Sequence, residues 1–90
     1  MASFAISFTS SAEKEFKALP REIQERFASA FEHLVKDPKR RRPKCDIRRL
    51  SHVANAWRLR VGEYRGIYAI EGEEIVFTRF GHRRSVYGRR

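Results

Sequence analysis

Cysteine is almost missing from this sequence. Cys45 stands alone in 90 residues, so no internal disulfide can form and a reducing compartment is expected. Long apolar runs are missing too, and none approaches the roughly 20 residues that span a bilayer. Residues 1–10 hold no charged leader and no long apolar segment, so the start reads as folded chain rather than a signal peptide. A soluble, cytoplasmic protein with no membrane partner is expected. His33, His52 and His82 lie far apart and Cys45 has no second thiol, so no metal-ligand spacing exists. There is no phosphate loop and no dinucleotide fingerprint. No cofactor and no metal are expected. Carboxylates avoid the second half except at turns, which argues against a hydrolase built on paired acids. The length allows one domain spanning residues 1–90 and excludes a Rossmann domain or a TIM barrel.

Positive charge is abundant. Twenty Lys and Arg face eleven Asp and Glu, for a net charge of +9. Such a field attracts polyanions and says nothing about fold. Fifteen of the cations are arginines, whose planar fork pairs with phosphate and stacks on bases. Residues 1–43 carry nine basic and six acidic side chains, and residues 44–90 carry eleven and five. The partner surface is therefore expected mostly in the second half.

The apolar pattern changes period along the chain. In residues 3–8, Phe4, Ile6 and Phe8 alternate as a strand. Thr9, Ser10 and Ser11 offer capping oxygens to a helix over Ser11–Ala18, with Ser10 three residues before Glu13. Leu19, Ile23, Phe27, Phe31 and Leu34 form the stripe of an amphipathic helix that starts at Pro20 and stops near Lys36, ahead of Asp37-Pro38. The two helices make a hairpin with its joint near Leu19-Pro20.

After a charged connector over 39–44 the period becomes two. Ile47–Leu50 reads as a short strand. Trp57, Leu59 and Val61 alternate with Arg58 and Arg60 in a half-buried one. Turns at Gly62-Glu63 and at Glu71-Gly72-Glu73 set off strands over Tyr64–Ile70 and Ile75–Phe80. Gly81 interrupts the last strand, and a basic tail follows with Val86 and Tyr87 as anchors. The fold class is α+β: an N-terminal strand and a helical hairpin packed on a small, mainly antiparallel β-sheet. The sheet's other face is the one lined by Arg58 and Arg60.

That face holds the residues suited to chemistry. Arg58 and Arg60 project from one side about 7 Å apart. Arg65 follows a turn and can lie across from them. Arg79, His82, Arg83 and Arg84 come at the end of the last strand. Such a surface can grip consecutive phosphates or stabilise charge developing on phosphorus. Tyr87 can stack on a base or place its hydroxyl at a 2′-oxygen or leaving group. RNA carries its own nucleophile, the 2′-OH, so a metal-free nuclease needs to orient it, take its proton and neutralise the phosphorane. Blander roles compete: Trp57, Tyr64 and Tyr68 as core or rim, His33 as helix surface, Glu63 as a turn residue and Cys45 as a small buried filler. His52 sits in a connector that can approach RNA.

The stretch Ala56-Trp57-Arg58-Leu59-Arg60-Val61-Gly62-Glu63-Tyr64-Arg65-Gly66-Ile67-Tyr68, followed by Phe80-Gly81-His82-Arg83-Arg84-Ser85-Val86-Tyr87, resembles the RelE/ParE superfamily of toxin–antitoxin toxins. The N-terminal strand, the helical hairpin and Asp37-Pro38 fit as well, so the resemblance covers nearly the whole chain. It implies a RelE-like fold. Its RelE branch implies an endoribonuclease that cuts messenger RNA on the ribosome through the 2′-OH. On that resemblance Arg58 and Arg60 bind backbone or assist proton transfer, and Arg65 stabilises the transition state. Arg83 or Arg84 supplies the second phosphate-binding arginine, and Tyr87 stacks on the substrate base. Arg40, Arg41, Arg42 and Arg79 extend the RNA contact. Lysines often occupy the paired strand positions in the superfamily's ribonucleases, and here both are arginines. Arginine is a poor general base, so His82 or Glu63 would carry the proton, or the arginines act purely electrostatically.

The implied partners are a cognate antitoxin, acidic overall or locally, and the ribosome with its mRNA. The ParE branch implies DNA gyrase as target instead. A non-catalytic nucleic-acid-binding module is the third reading.

Overall fold

The computed structural model describes residues 3–51 and 53–86. The elements are β1 (Ala5–Phe8), α1 (Ser10–Lys17), α2 (Arg21–Leu34), β2 (Ile47–Arg49), β3 (Trp57–Val61), β4 (Tyr64–Glu71) and β5 (Glu74–His82). The strands form one sheet in the order β1-β5-β4-β3-β2. The chain is thus α+β, as its patterning indicates. All neighbours are antiparallel except β1 and β5, which run parallel with Ala5 opposite Glu74. That parallel pair needs the long crossover through both helices and the rest of the sheet, which local periodicity does not reveal.

Both tight hairpins use a two-residue Gly-Glu loop. Gly62 and Gly72 stand at φ +58° and +63°, and glycine comes first in each loop. A type II′ turn asks for that arrangement, and its twist matches the flanking strands.

Element ends differ in detail from the sequence reading. Thr9, rather than Ser10, caps α1, its hydroxyl accepting from the Ala12 amide at 3.1 Å. Helix α2 stops at Leu34, two residues short of Lys36. The Lys36 and Asp37 amides donate to the His33 and Leu34 carbonyls, a tightened final turn ahead of Pro38. Strand β5 continues through Gly81 to His82, because Gly81 pairs with Arg65 and His82 with Tyr64. The irregularity lies instead between Ile67 and Tyr68, where Arg79 and then Phe77 are their partners, so Thr78 is the extra residue.

One face of the sheet packs against the helices. Phe8, Phe16, Phe27, Phe31, Phe77 and Phe80 form a ring cluster with centroids 4.9–6.2 Å apart. Leu34, Leu59, Ile75 and Tyr68 extend it. Tyr68 stays inside because its hydroxyl donates to the Pro38 carbonyl at 2.7 Å. Burial pushes its phenol pKa up, and burial likewise raises the Cys45 thiol. Cys45 is therefore an inert filler of the core, as its isolation in the sequence suggests. No helix among the described residues is long and apolar enough to cross a membrane.

Candidate functional site

Strand alternation turns Arg48, Arg58, Arg60, Arg65, Ile67 and Arg79 away from the helices. The registers set Arg48 directly opposite Arg58 and Arg60 directly opposite Arg65. Like charges facing each other across strands destabilise a sheet. The open face carries two such pairs side by side.

Beside them lies a groove of about 630 Å³. Its floor is apolar, from Leu50, Ile67 and Val86, and Arg48, Arg58 and Arg79 stand around it. Val86 is 2% exposed and packs over Gly81, so the C-terminal turn folds across the sheet as an anchor. A flat apolar ring can lie on that floor while the surrounding guanidinium groups take phosphates.

Carboxylates tie several of these arginines down. Asp46 Oδ2 lies 2.9 Å from Arg60 Nε, and Asp46 Oδ1 lies 3.3 Å from Arg41 Nε and 4.0 Å from Arg58 Nη2. Its own carbonyl accepts from the Arg60 amide at 2.9 Å, which fixes where the side chain starts. Arg58 is only 16% exposed in its side chain, and neither its buried Nε nor the buried Asp46 Oδ1 makes a hydrogen bond among the described residues. Arg79 approaches Glu15 of α1 at 3.9 Å, and the other Glu15 oxygen accepts from the Phe80 amide at 2.8 Å. That amide lies just beyond the end of β1, where β5 becomes an edge. Arg48 and Arg49 make no ion pair with another described residue.

Not every residue singled out from the sequence joins this face. Arg65 does lie on it, but is 7% exposed, its Nη1 donating to the Gly62 and Tyr64 carbonyls at 3.1 Å each. It supplies positive field from beneath the surface rather than an exposed fork. His82 shares the side of Phe80, stacks edge-on to Tyr64 at 5.5 Å, and accepts the Arg84 amide on Nδ1 at 3.2 Å. The sheet therefore separates its imidazole from Arg58 and Arg60. Glu63 pairs with Arg83 at 3.0 Å at the β3–β4 turn. Arg84 is exposed on the following turn.

The connector arginines divide. Arg42 is spent internally, donating to the carbonyls of Asp37, Arg40 and His33, so it staples the connector to the end of α2. Those bonds leave Arg42 half-buried rather than as an outward-facing fork. Arg40 pairs with Asp37 and stays exposed, and Arg41 joins Asp46. Tyr87 and His52 lie outside the described residues. No group of three or more His, Cys, Asp or Glu that could hold a metal ion occurs among the described residues.

Sequence reasoning missed Asp46, Glu15 and Arg48. Asp46 stands just after a basic connector. Its signal was parity: it alternates with the buried Ile47, as Arg58 and Arg60 alternate with Leu59. Arg48 had the same signal. Glu15 had none, since its contact depends on how α1 crosses the sheet edge.

Comparison with known proteins gives a consistent family. The family model described as ParE toxin of type II toxin-antitoxin system, parDE, matches residues 6–87. Toxin RelE3 of Methanocaldococcus jannaschii is 32% identical over 74 residues, 82% of this chain and 84% of that protein. Among solved structures, the RelB–RelE antitoxin–toxin complex from Methanococcus jannaschii superposes with a TM-score of 0.73 at 30% identity, covering 89% of this chain and 93% of the other. The toxin–antitoxin complex RelBE2 from Mycobacterium tuberculosis superposes at 0.74 with 26% identity, covering 89% and 98%.

Proposed function

Since the chain belongs to the RelE/ParE family of type II toxin–antitoxin toxins, we propose that it is a metal-free endoribonuclease that cuts messenger RNA on the ribosome through the substrate's own 2′-OH. One observation carries the reading: arginine faces arginine across two adjacent strand pairs, beside a groove with an apolar floor. That arrangement costs stability as a sheet surface and fits a single strand whose base rests on the floor and whose phosphates meet the arginines.

Arg58 and Arg60 hold the scissile phosphodiester and take up charge as the phosphorane forms. Arg65 adds field from below, and Arg48 and Arg79 hold neighbouring phosphates. Arg83, Arg84 and Tyr87 extend the contact past the strand end. Neither His82 nor Glu63 shares the arginine face, so as the 2′-oxygen bonds to phosphorus and the P–O5′ bond breaks, water takes the 2′-OH proton and supplies one to the departing 5′-oxygen, while the arginines act electrostatically. Such a site has little acid–base power of its own and gains most from a substrate already ordered, which favours message held by the ribosome over free RNA. The solved relatives are toxin–antitoxin complexes, and this supports a cognate antitoxin, acidic at least locally, that covers the +9 chain.

A second reading, poisoning of DNA gyrase, is favoured by the ParE name of the matching family model. The two readings part in a growing bacterium. Expression of the chain is expected to arrest growth within about one doubling while a DNA-damage reporter stays at its uninduced level. Arrest with strong reporter induction and double-strand breaks overturns the nuclease reading in favour of the gyrase one.

A further inference from the structure

Asp46 is one carboxylate among three guanidinium groups, on a face built to receive anions. Two roles are physically open to it. It can occupy the arginines until a phosphate displaces it, or it can hold them in place while they work. The atoms it contacts favour the second. Arg60 and Arg41 both meet it through Nε, and their side chains remain 51% and 69% exposed. The 2.9 Å Nε contact anchors the Arg60 guanidinium, the 3.3 Å one keeps Arg41 beside it by charge alone, and the exposed remainder of each fork is left to bind a second anion. Asp46 is itself only 24% exposed in its side chain and starts from a backbone position bonded to Arg60. It also offsets the repulsion that would drive Arg41, Arg58 and Arg60 apart.

We infer that Asp46 is the positioning residue of the arginine face, gripping Arg60 by Nε and holding Arg41 nearby by charge so that their outer donors stay aimed at phosphate, and remaining paired with Arg60 when RNA binds. This rests on the RNA-cleavage reading, and one arm of its test does not depend on that reading.

The first arm observes the full-length wild type by NMR, following the Arg60 Nε–Hε signal, assigned by its loss in Arg60→Lys. The signal is expected to be shifted from the free-arginine envelope, slow to exchange, and retained when a non-cleavable 2′-O-methyl hexaribonucleotide is added to saturation. Collapse of the signal into the envelope on adding the oligonucleotide means that Asp46 is displaced, and overturns the inference whether or not the protein cleaves RNA.

The second arm measures Asp46→Asn and Asp46→Glu. Asparagine removes a negative charge from a polyanion-binding face, so oligonucleotide affinity is expected to hold or rise, with a steeper salt dependence. Single-turnover cleavage on programmed ribosomes is expected to fall at least tenfold, and glutamate to restore it to within about threefold of wild type. A purely structural acid would lower binding and cleavage together. A purely repelling acid would raise both on removal. Either result overturns the inference. Absence of cleavage in the wild type overturns the proposed function instead, and the NMR arm still decides the role of Asp46. If Asp46→Asn does not fold, Asp46→Glu and the wild-type spectrum carry the test.

Discussion

Replacing Arg58 and Arg60 together by alanine is expected to leave the fold standing and to slow RNA cleavage about a thousandfold or more. Removing one preorganised donor from a developing oxyanion typically slows a reaction about 100- to 1,000-fold. Two donors that act on the same phosphorane do not contribute independently, so the double loss is expected near the upper end of that range rather than at its square. Stability has reason to change little. Each substitution removes one member of an arginine–arginine cross-strand pair, Arg58 against Arg48 and Arg60 against Arg65, and relief of that repulsion offsets the packing lost from the Arg58 stem. The Asp46 carboxylate keeps Arg41. The check is a single-turnover rate beside a thermal melt. A variant that melts within about 5 °C of wild type yet cleaves within tenfold of it would remove these arginines from the chemistry.

The largest stability effect is expected on the opposite face of the same sheet. Gly66 lies in the middle of β4, opposite Leu59 and Phe80, beneath the phenylalanine cluster. A Cβ there would come 2.8 Å from Phe80 Cε1 and 2.9 Å from Phe77 Cε2. Both rings are buried, stacked on each other at 4.9 Å, and packed against further phenylalanines. Neither can swing away without opening the core. Gly66→Ala is expected to cost about 1–3 kcal/mol by overpacking. In a domain of this size that is roughly 5–20 °C of melting temperature. Gly66→Val adds two more methyl groups to the same collision and is expected to abolish the cooperative transition at 37 °C, because total stability is only about 5–15 kcal/mol. Calorimetry on the two variants checks both. A Gly66→Val protein that melts cooperatively near the wild-type temperature would mean that the rings are not held where they are described.

Gly66 also marks where reading the sequence stops. Its neighbours Tyr64, Arg65, Ile67 and Tyr68 read plainly as a strand, and the structure has one there. That the position must be glycine follows from two phenylalanines eleven and fourteen residues further on, which no local pattern contains. The same division runs through the fold. Helix α2, the four antiparallel strands after it and both Gly-Glu turns were legible, because period and turn chemistry are local. The parallel β1–β5 pair was not, because it joins the two ends of the described chain.

The site divides in the same way. Arg58 and Arg60 were legible by parity on β3, and their cross-strand opposition to Arg48 and Arg65 was not, because register is set by the hairpins. Arg40, Arg41 and Arg42 look alike in sequence, and only the folded connector turns Arg42 inward. His82 was grouped with the arginines by its place in the chain, and alternation along β5 sends it to the other side. In a basic sequence the positive charges advertise themselves, and the carboxylates that organise them, Asp46 and Glu15, do not.

The central claim is cleavage of message on the ribosome by an arginine face, and primer extension in a purified translation system tests it most directly. The control is the Arg58→Ala, Arg60→Ala variant, which leaves Arg65, buried and bonded to the β3–β4 turn, in place. The account predicts new 5′ ends in register with the codon frame, present only when ribosomes are present and missing with the variant. An intact message under full translation, or cuts that the variant makes as readily as the wild type, would contradict it.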